Sequence, residues 1–179
     1  MADYERVLCL YCKAGKEKSV VEHIHANDMG QAIFAQKTKR VLNKLTREWD
    51  EILTPLLPCY VFLYLAQDAD GLRGQLYAMQ NVLRILGYGE GRSDYLSGRD
   101  LEFAQWLWRM EGRVDKLKVA EIGDRIEIID SAFQSLRGTI RRVDRRKQTC
   151  LVELDATGVI RELWLPYDMV KRLEQPADE

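Results

Sequence analysis

The chain has 179 residues, of which 46% are hydrophobic and 31% are charged. This length fits one domain or two small ones, and the apolar content excludes a wholly disordered chain. The 27 basic and 28 acidic residues give a net charge of −1, which excludes a globally basic nucleic-acid binder but allows a local basic patch. No apolar run is long enough to span a membrane, and residues 1–6 lack the apolar core of a signal peptide. We therefore expect a cytoplasmic protein with no membrane partner and with reduced cysteines.

The first half of the chain alternates strands and helices. Short apolar, β-rich runs predict strands over residues 6–13, 59–66 and 82–86. Helical spacing of apolar residues predicts helices over residues 16–27, 72–79 and 97–108. Residues 35–47 hold five cations and no acid, which is typical of a solvated loop or hairpin. Strands and helices that alternate without the long crossovers of a parallel sheet predict an α+β sandwich.

The second half of the chain consists mainly of short β-rich runs. Residues 111–120 show weak periodicity and are interpreted as a linker. Five short β-rich runs follow at residues 125–129, 139–143, 149–154, 159–165 and 169–173, separated by turn-forming residues. Five closely spaced strands predict a small barrel, because closure protects the edges of the sheet.

Motifs in both halves resemble the NusG family. Residues 57–62 (LPCYVF) resemble the LFPGYVF strand motif of its amino-terminal (NGN) domain, with Cys59 in place of the usual glycine. Residues 10–16, 82–87 and 95–97 resemble further NGN segments, the first being closest to the RfaH-type paralogs. Residues 123–133, with Gly138, resemble a KOW module. The resemblance implies an NGN-type α/β sandwich with an antiparallel sheet over residues 1–110, a linker over 111–120, a five-stranded KOW β-barrel over 121–174 and a tail over 175–179.

The resemblance also implies a function. It indicates a specialised transcription elongation and antitermination factor, similar to the LoaP or RfaH groups, without catalytic activity. Such a factor docks on RNA polymerase and is recruited by a nascent RNA hairpin or by the non-template DNA strand. Its KOW domain contacts a further partner, such as a ribosomal protein, and we expect a monomer. The alternative is a KOW-containing RNA-binding protein that acts on the ribosome or in translation.

The candidate polymerase-binding residues centre on the second predicted strand, at residues 59–66. Tyr60 and Phe62 alternate along one face of that strand, and aromatic side chains are common in binding hot spots. Tyr11 and Ile85 are expected nearby. Core packing is the alternative interpretation of the same aromatic residues.

Basic residues form the candidate nucleic-acid-binding sets, since clustered cations neutralise phosphates. A solvated surface is the alternative interpretation. A broad cationic loop slightly favours an RNA hairpin over DNA. The first set is Lys13, Lys16, Lys18, Lys37, Lys39, Arg40, Lys44 and Arg47, and a second candidate patch is Arg141, Arg142, Arg145, Arg146 and Lys147.

Metal and cofactor chemistry are not expected. Cys9 and Cys12 form a close pair, but they lie within one predicted strand, and Cys59 and Cys150 are isolated. Zinc needs four ligands, usually from two such pairs or from histidines at matching spacing. No phosphate loop or nucleophile motif is present in the sequence. We therefore predict no catalytic residues, no metal site and no cofactor.

Overall fold

The computed structural model describes residues 4–69, 71–89, 93–122, 125–130, 133, 138–154 and 162–173. The chain divides into two compact units, one formed by residues 1–36 and 57–113 and the other by residues 37–56 and 114–179. The second unit therefore includes residues 37–56, which come from the first half of the chain. The domain bounds inferred from the sequence stay a prediction.

The described elements are three helices and twelve strands. In chain order they are β1 (Arg6–Cys12), α1 (Glu17–Ala26), β2 (Gln31–Ile33), β3 (Gln36–Leu42), β4 (Trp49–Pro55), β5 (Tyr60–Leu65), α2 (Arg73–Ala78), β6 (Val82–Leu86), α3 (Gly98–Arg109), β7 (Arg113–Val114), β8 (Leu117–Ile122), β9 (Arg125–Ile128), β10 (Gly138–Asp144), β11 (Thr149–Leu154) and β12 (Glu162–Leu173). Among the described residues, no helix is long and apolar enough to cross a membrane.

The first unit is an antiparallel sheet of order β2-β5-β1-β6 with helices on both faces. Because side chains alternate along a strand, Leu8 and Leu10 point to one face of β1. They pack in one apolar cluster with Val20 and Ile24, which lie four residues apart on α1. Leu76 of α2 joins the same cluster.

The opposite face of this sheet packs against α3. Phe62 lies 6.0 Å from Phe103, measured between ring centroids. The buried Tyr64 hydroxyl donates a hydrogen bond of 2.7 Å to the carbonyl of Ala104, so the helix is fixed by a polar contact as well as by apolar burial. The predicted α/β sandwich with an antiparallel sheet is confirmed.

The second unit contains a five-stranded, nearly closed sheet of order β10-β11-β12-β8-β9. Its buried residues include Val119, Cys150, Val152 and Leu165. They alternate with outward-facing residues, as expected for strands with one buried face. The predicted five-stranded barrel is confirmed as a fold.

Strands β4, β3 and β7 form a separate three-stranded sheet, so the cationic segment 35–47 is a hairpin rather than an irregular loop.

The predicted barrel strands need two corrections. Strand β8 begins inside the segment predicted as a linker, 111–120, and it pairs in parallel with β12 and antiparallel with β9. The last two predicted strands are one strand, β12, which runs through Pro166. Up to Pro166 it pairs with β11, and from Tyr167 onward it pairs with β8. Proline lacks a backbone donor, and it stands where the strand changes partners, so it does not end the strand.

Some predictions fall on residues outside those described. This group consists of the start of the predicted strand at 159–165, residues 123, 124, 131 and 132 of the KOW-like motif, and the predicted tail at 175–179.

Candidate functional site

The register of β1 and β5 places two aromatic residues directly opposite each other. Tyr11 pairs with Tyr60, and their rings contact edge to face with centroids 5.5 Å apart. The Arg84 guanidinium, on β6, lies 5.3 Å from the centroid of the Tyr11 ring. Both tyrosines are partly buried and keep part of their surface accessible. We call Tyr11, Tyr60 and Arg84 the aromatic patch; such a surface offers ring edges, an apolar face and one cation to a partner.

The other predicted members of this site lie elsewhere on the sheet. Phe62 is on the same face but is only 1% exposed, because α3 covers it through Phe103. Ile85 pairs with Leu10 and lies in the apolar cluster on the opposite face. The structure therefore brings Tyr11 and Tyr60 together at the surface and places Phe62 and Ile85 in the core. The binding roles of all four residues stay a prediction.

Burial raises the pKa of the Tyr60 hydroxyl above its ordinary value, with smaller contributions from Cys9 and Tyr11. The hydroxyl is therefore neutral near pH 7 and can donate a hydrogen bond to a partner.

A strained turn leads into Tyr60. Cys59 has a φ of +72°, a left-handed conformation that residues other than glycine rarely adopt. Its N–H donates a 2.7 Å hydrogen bond to the Glu17 carboxylate, and its carbonyl accepts a 2.8 Å hydrogen bond from the N–H of Cys12. Glu17 is only 3% exposed, although it lies in the first turn of α1. The carboxylate thus ties the helix to the turn that positions Tyr60.

Glu17 is a residue that sequence reasoning missed. An acidic residue in the first turn of a helix is ordinary, since it complements the helix dipole, and so it carries no signal of its own. The one available clue was Cys59 at the glycine position of the strand motif, which implies a turn that needs extra support.

The first basic set is split between the two units. Lys13, Lys16 and Lys18 are exposed around the start of α1, and Lys18 forms an ion pair of 3.7 Å with Glu22. The remaining five residues lie on the β3–β4 hairpin in the second unit, with Lys37, Lys39 and Arg40 on β3 and Lys44 and Arg47 in the turn.

Carboxylates of the same unit partly neutralise the second basic patch. Arg141 pairs with Glu153, Arg145 with Glu121 at 2.8 Å, and Lys147 with Asp144 at 3.6 Å. Arg142 and Arg146 have no ion pair with a carboxylate in the described part of the chain. The patch is therefore less cationic than the sequence indicates.

The cysteines are not arranged as a metal site in the described part of the chain, where no group of three potential ligands is found. All four are free thiols. Burial, assisted by Asp100 and Cys12, raises the pKa of Cys9 to about 12, so this thiol stays protonated and is a poor ligand or nucleophile at neutral pH.

Comparison with known proteins bears on the fold. No family model matches the chain, and no curated protein matches it. Among solved structures, the chain is similar to one described as "Domain interaction in Thermotoga maritima NusG". The sequences are 18% identical, the match covers 90% of this chain and 93% of the other, and the TM-score is 0.50. At this identity the similarity concerns the fold, and it agrees with the sandwich and the barrel described above: the chain has a NusG-like fold.

Proposed function

We propose that this protein is a non-catalytic, cytoplasmic transcription factor of the NusG kind that acts as a monomer on RNA polymerase. It docks through the aromatic patch, is recruited to particular operons by a nucleic-acid element such as an RNA hairpin, and promotes readthrough of terminators. The NusG-like fold and the motifs of the sequence support this proposal.

The observation that carries the proposal is the Tyr11–Tyr60 pair. Two of the four aromatic residues on the strands of this sheet, Phe62 and Tyr64, are buried under α3. Tyr11 and Tyr60 instead keep part of their rings at the surface, 5.5 Å apart and held rigidly by the β1–β5 ladder. A rigid pair of aromatic rings loses little conformational entropy on binding, which suits a hot spot for an apolar helix tip.

The docking test measures the affinity of the full chain for purified bacterial RNA polymerase. Tyr60→Ala is expected to weaken binding by about 2 kcal/mol or more, which is roughly 30-fold. Tyr60→Phe keeps the ring and should retain most of the affinity. Tyr77→Ala is the matched control, because Tyr77 lies on α2 and is 57% exposed. Equal affinities for a folded Tyr60→Ala protein and the Tyr77→Ala control would remove the aromatic patch from the proposal.

Recruitment is tested separately by readthrough in transcription reactions with purified components. Lys44 and Arg47 lie in the exposed turn of the β3–β4 hairpin, so their replacement by Glu reverses charge without disturbing the core. We expect readthrough on templates that carry the recruiting leader to fall. In a binding assay with the same leader, the slope of log K against log salt concentration should flatten by roughly 0.7–0.9 per lost phosphate contact. A salt slope equal to that of the wild type would show that the turn is only a solvated surface.

The ribosomal alternative depends on the barrel and its basic patch. That patch has three of its five cations paired with acids, which weakens its attraction for ribosomal RNA. Contact of the barrel with a ribosomal protein remains part of the proposal as a second interaction. Binding to purified ribosomes without binding to polymerase would favour the alternative.

A further inference from the structure

The second unit holds a groove whose charged lining residues are all cations. Its volume is about 750 Å³. It brings together parts of both basic sets with a lysine that neither set contained. The cations are Lys37, Lys39 and Arg40 of β3, Lys116 before β8, and Arg146 and Lys147 of the β10–β11 turn.

Specific contacts fix the walls of this groove. The Arg40 guanidinium donates a 2.9 Å hydrogen bond to the side-chain carbonyl of Gln148, which joins β3 to the β10–β11 turn. The Lys37 ammonium donates a 2.6 Å hydrogen bond to the backbone carbonyl of Trp164. These contacts link the hairpin to strands of the barrel, so residues that are about 100 positions apart in the sequence face one space.

The cations differ in how free they are to bind an anion. Lys116 forms a 2.8 Å ion pair with Glu51, and Lys147 pairs with Asp144. Lys39 and Arg146 have no ion pair with any described carboxylate. Lys37 and Lys39 lie two residues apart on β3 and both line the groove, so their charges repel each other. Burial, and then the charge of Lys39, lowers the pKa of Lys37. An anionic ligand would relieve that repulsion.

An exposed aromatic ring, that of Trp49, lies in the same groove. Trp49 lines the groove and is 56% exposed, and the Arg40 guanidinium lies 5.2 Å from the centroid of its ring. Tryptophan side chains are highly buried on average, so this ring presents an accessible stacking surface that the Arg40 contact holds in place. Nucleobases stack on such rings, and the phosphates on either side then meet the surrounding cations.

The size of the groove favours single-stranded over double-stranded nucleic acid. Its volume lies within the range of about 300–1,000 Å³ that is typical of sites enclosing one small molecule. That space accepts one or two nucleotides, whereas a duplex is far too wide and keeps its bases stacked inside. We propose that the groove binds unpaired nucleotides of a single-stranded nucleic acid, with a base on Trp49 and phosphates on Lys39 and Arg146. This inference deepens the proposed function, because hairpin loops and a displaced DNA strand both present unpaired nucleotides.

The test uses the full chain and fluorescence anisotropy with labelled 12-nucleotide oligouridylate, oligothymidylate and a 12-base-pair duplex. Single strands should bind more tightly than the duplex. Trp49→Ala should weaken their binding by about 5-fold or more, and Trp49→Phe should retain most of it. Lys39→Gln and Arg146→Gln should each lower the affinity and reduce the salt slope by about 0.7.

Two matched variants make the test specific. Tyr77→Ala removes an exposed aromatic ring of the first unit, and Lys118→Gln removes an exposed cation of β8 outside the groove. Neither should change oligonucleotide affinity. A preference for oligouridylate would identify RNA as the source of the strand, and a preference for oligothymidylate would identify DNA. Tighter binding of the duplex, or wild-type affinity in a folded Trp49→Ala protein, would overturn the inference. The assay contains no polymerase, so its failure is distinct from a failure of docking.

Discussion

Replacing Glu17 by alanine should destabilise the protein and weaken its docking together. The carboxylate is buried and accepts a 2.7 Å hydrogen bond from Cys59, whose backbone has a φ of +72°. Removing the acceptor leaves a partly buried N–H without its partner, which costs about 1–3 kcal/mol. The better helix propensity of alanine offsets about 0.4 kcal/mol of that cost. A net loss of about 2 kcal/mol corresponds to a fall of about 4–8 °C in Tm for a chain of this size.

Thermal unfolding followed by circular dichroism measures this effect. Glu22→Ala is the matched control, because Glu22 lies on the same helix and its side chain is 65% exposed; its effect should stay within about 0.5 kcal/mol. Glu17→Gln retains an oxygen acceptor and should fall between the two. Polymerase affinity should drop for Glu17→Ala but not for Glu22→Ala, since the turn positions Tyr60. Equal Tm values for the two alanine variants would refute the idea that Glu17 supports this turn.

Two further predictions concern cysteines. Cys59→Gly should stabilise the protein by up to about 1 kcal/mol in urea unfolding, because glycine relieves the left-handed strain, which costs about 1–2 kcal/mol, while it adds unfolded-chain entropy. Cys59→Ala keeps the strain, so an equal gain for that variant would attribute the effect to the thiol instead. Burial raises the pKa of Cys9 from 9.0 to about 12, so the stability that the protonated thiol contributes is complete below pH 9 and is lost as the pH rises toward 12. In that window, Cys9→Ala should lessen the fall in unfolding free energy by about 1.4 kcal/mol per pH unit, and parallel pH profiles for the two proteins would contradict this assignment.

The elements that the sequence predicted well are those with local signals. The apolar run of β5 and the helical spacing of Val20 and Ile24 depend on neighbouring residues, so they can be interpreted without knowing the fold. Strand β8 escaped prediction because Lys118 and Glu121 interrupt its apolar pattern, and its stability comes from pairing with β9 and with β12, which is distant in the sequence. The runs at 159–165 and 169–173 predict two strands, but a change of pairing partner after Pro166 allows a single strand to continue.

The candidate sites also combine features that local sequence signals predict with features that depend on distant contacts. Alternation correctly places Tyr60 and Phe62 on one face of β5, but it cannot indicate that α3 covers Phe62 and leaves Tyr60 partly exposed. Ile85 is adjacent to the site in sequence-based reasoning, yet the β1–β6 register turns it to the opposite face. The cationic groove depends on contacts between residues about 100 positions apart, for which a single sequence holds no signal.

Residues whose backbone conformation or burial is unusual for their type lie at the two proposed binding surfaces, the aromatic patch and the groove. Cys59 adopts a conformation suited to glycine, and Glu17 is a buried carboxylate; both support the turn before Tyr60. Trp49 is a large ring left 56% exposed, and Lys37 has a lowered pKa because it is partly buried beside another cation; both line the groove. The left-handed backbone of Cys59 costs free energy, which the hydrogen bond from its N–H to Glu17 partly offsets. The exposed ring of Trp49 and the neighbouring charges of Lys37 and Lys39 cost free energy in the isolated chain, and a ligand in the groove would recover part of that cost. The aromatic patch calls for an apolar partner and the groove for an anionic one, so the two surfaces are chemically suited to different ligands. Separate variants at Tyr60 and Trp49 can therefore abolish one interaction while leaving the other intact.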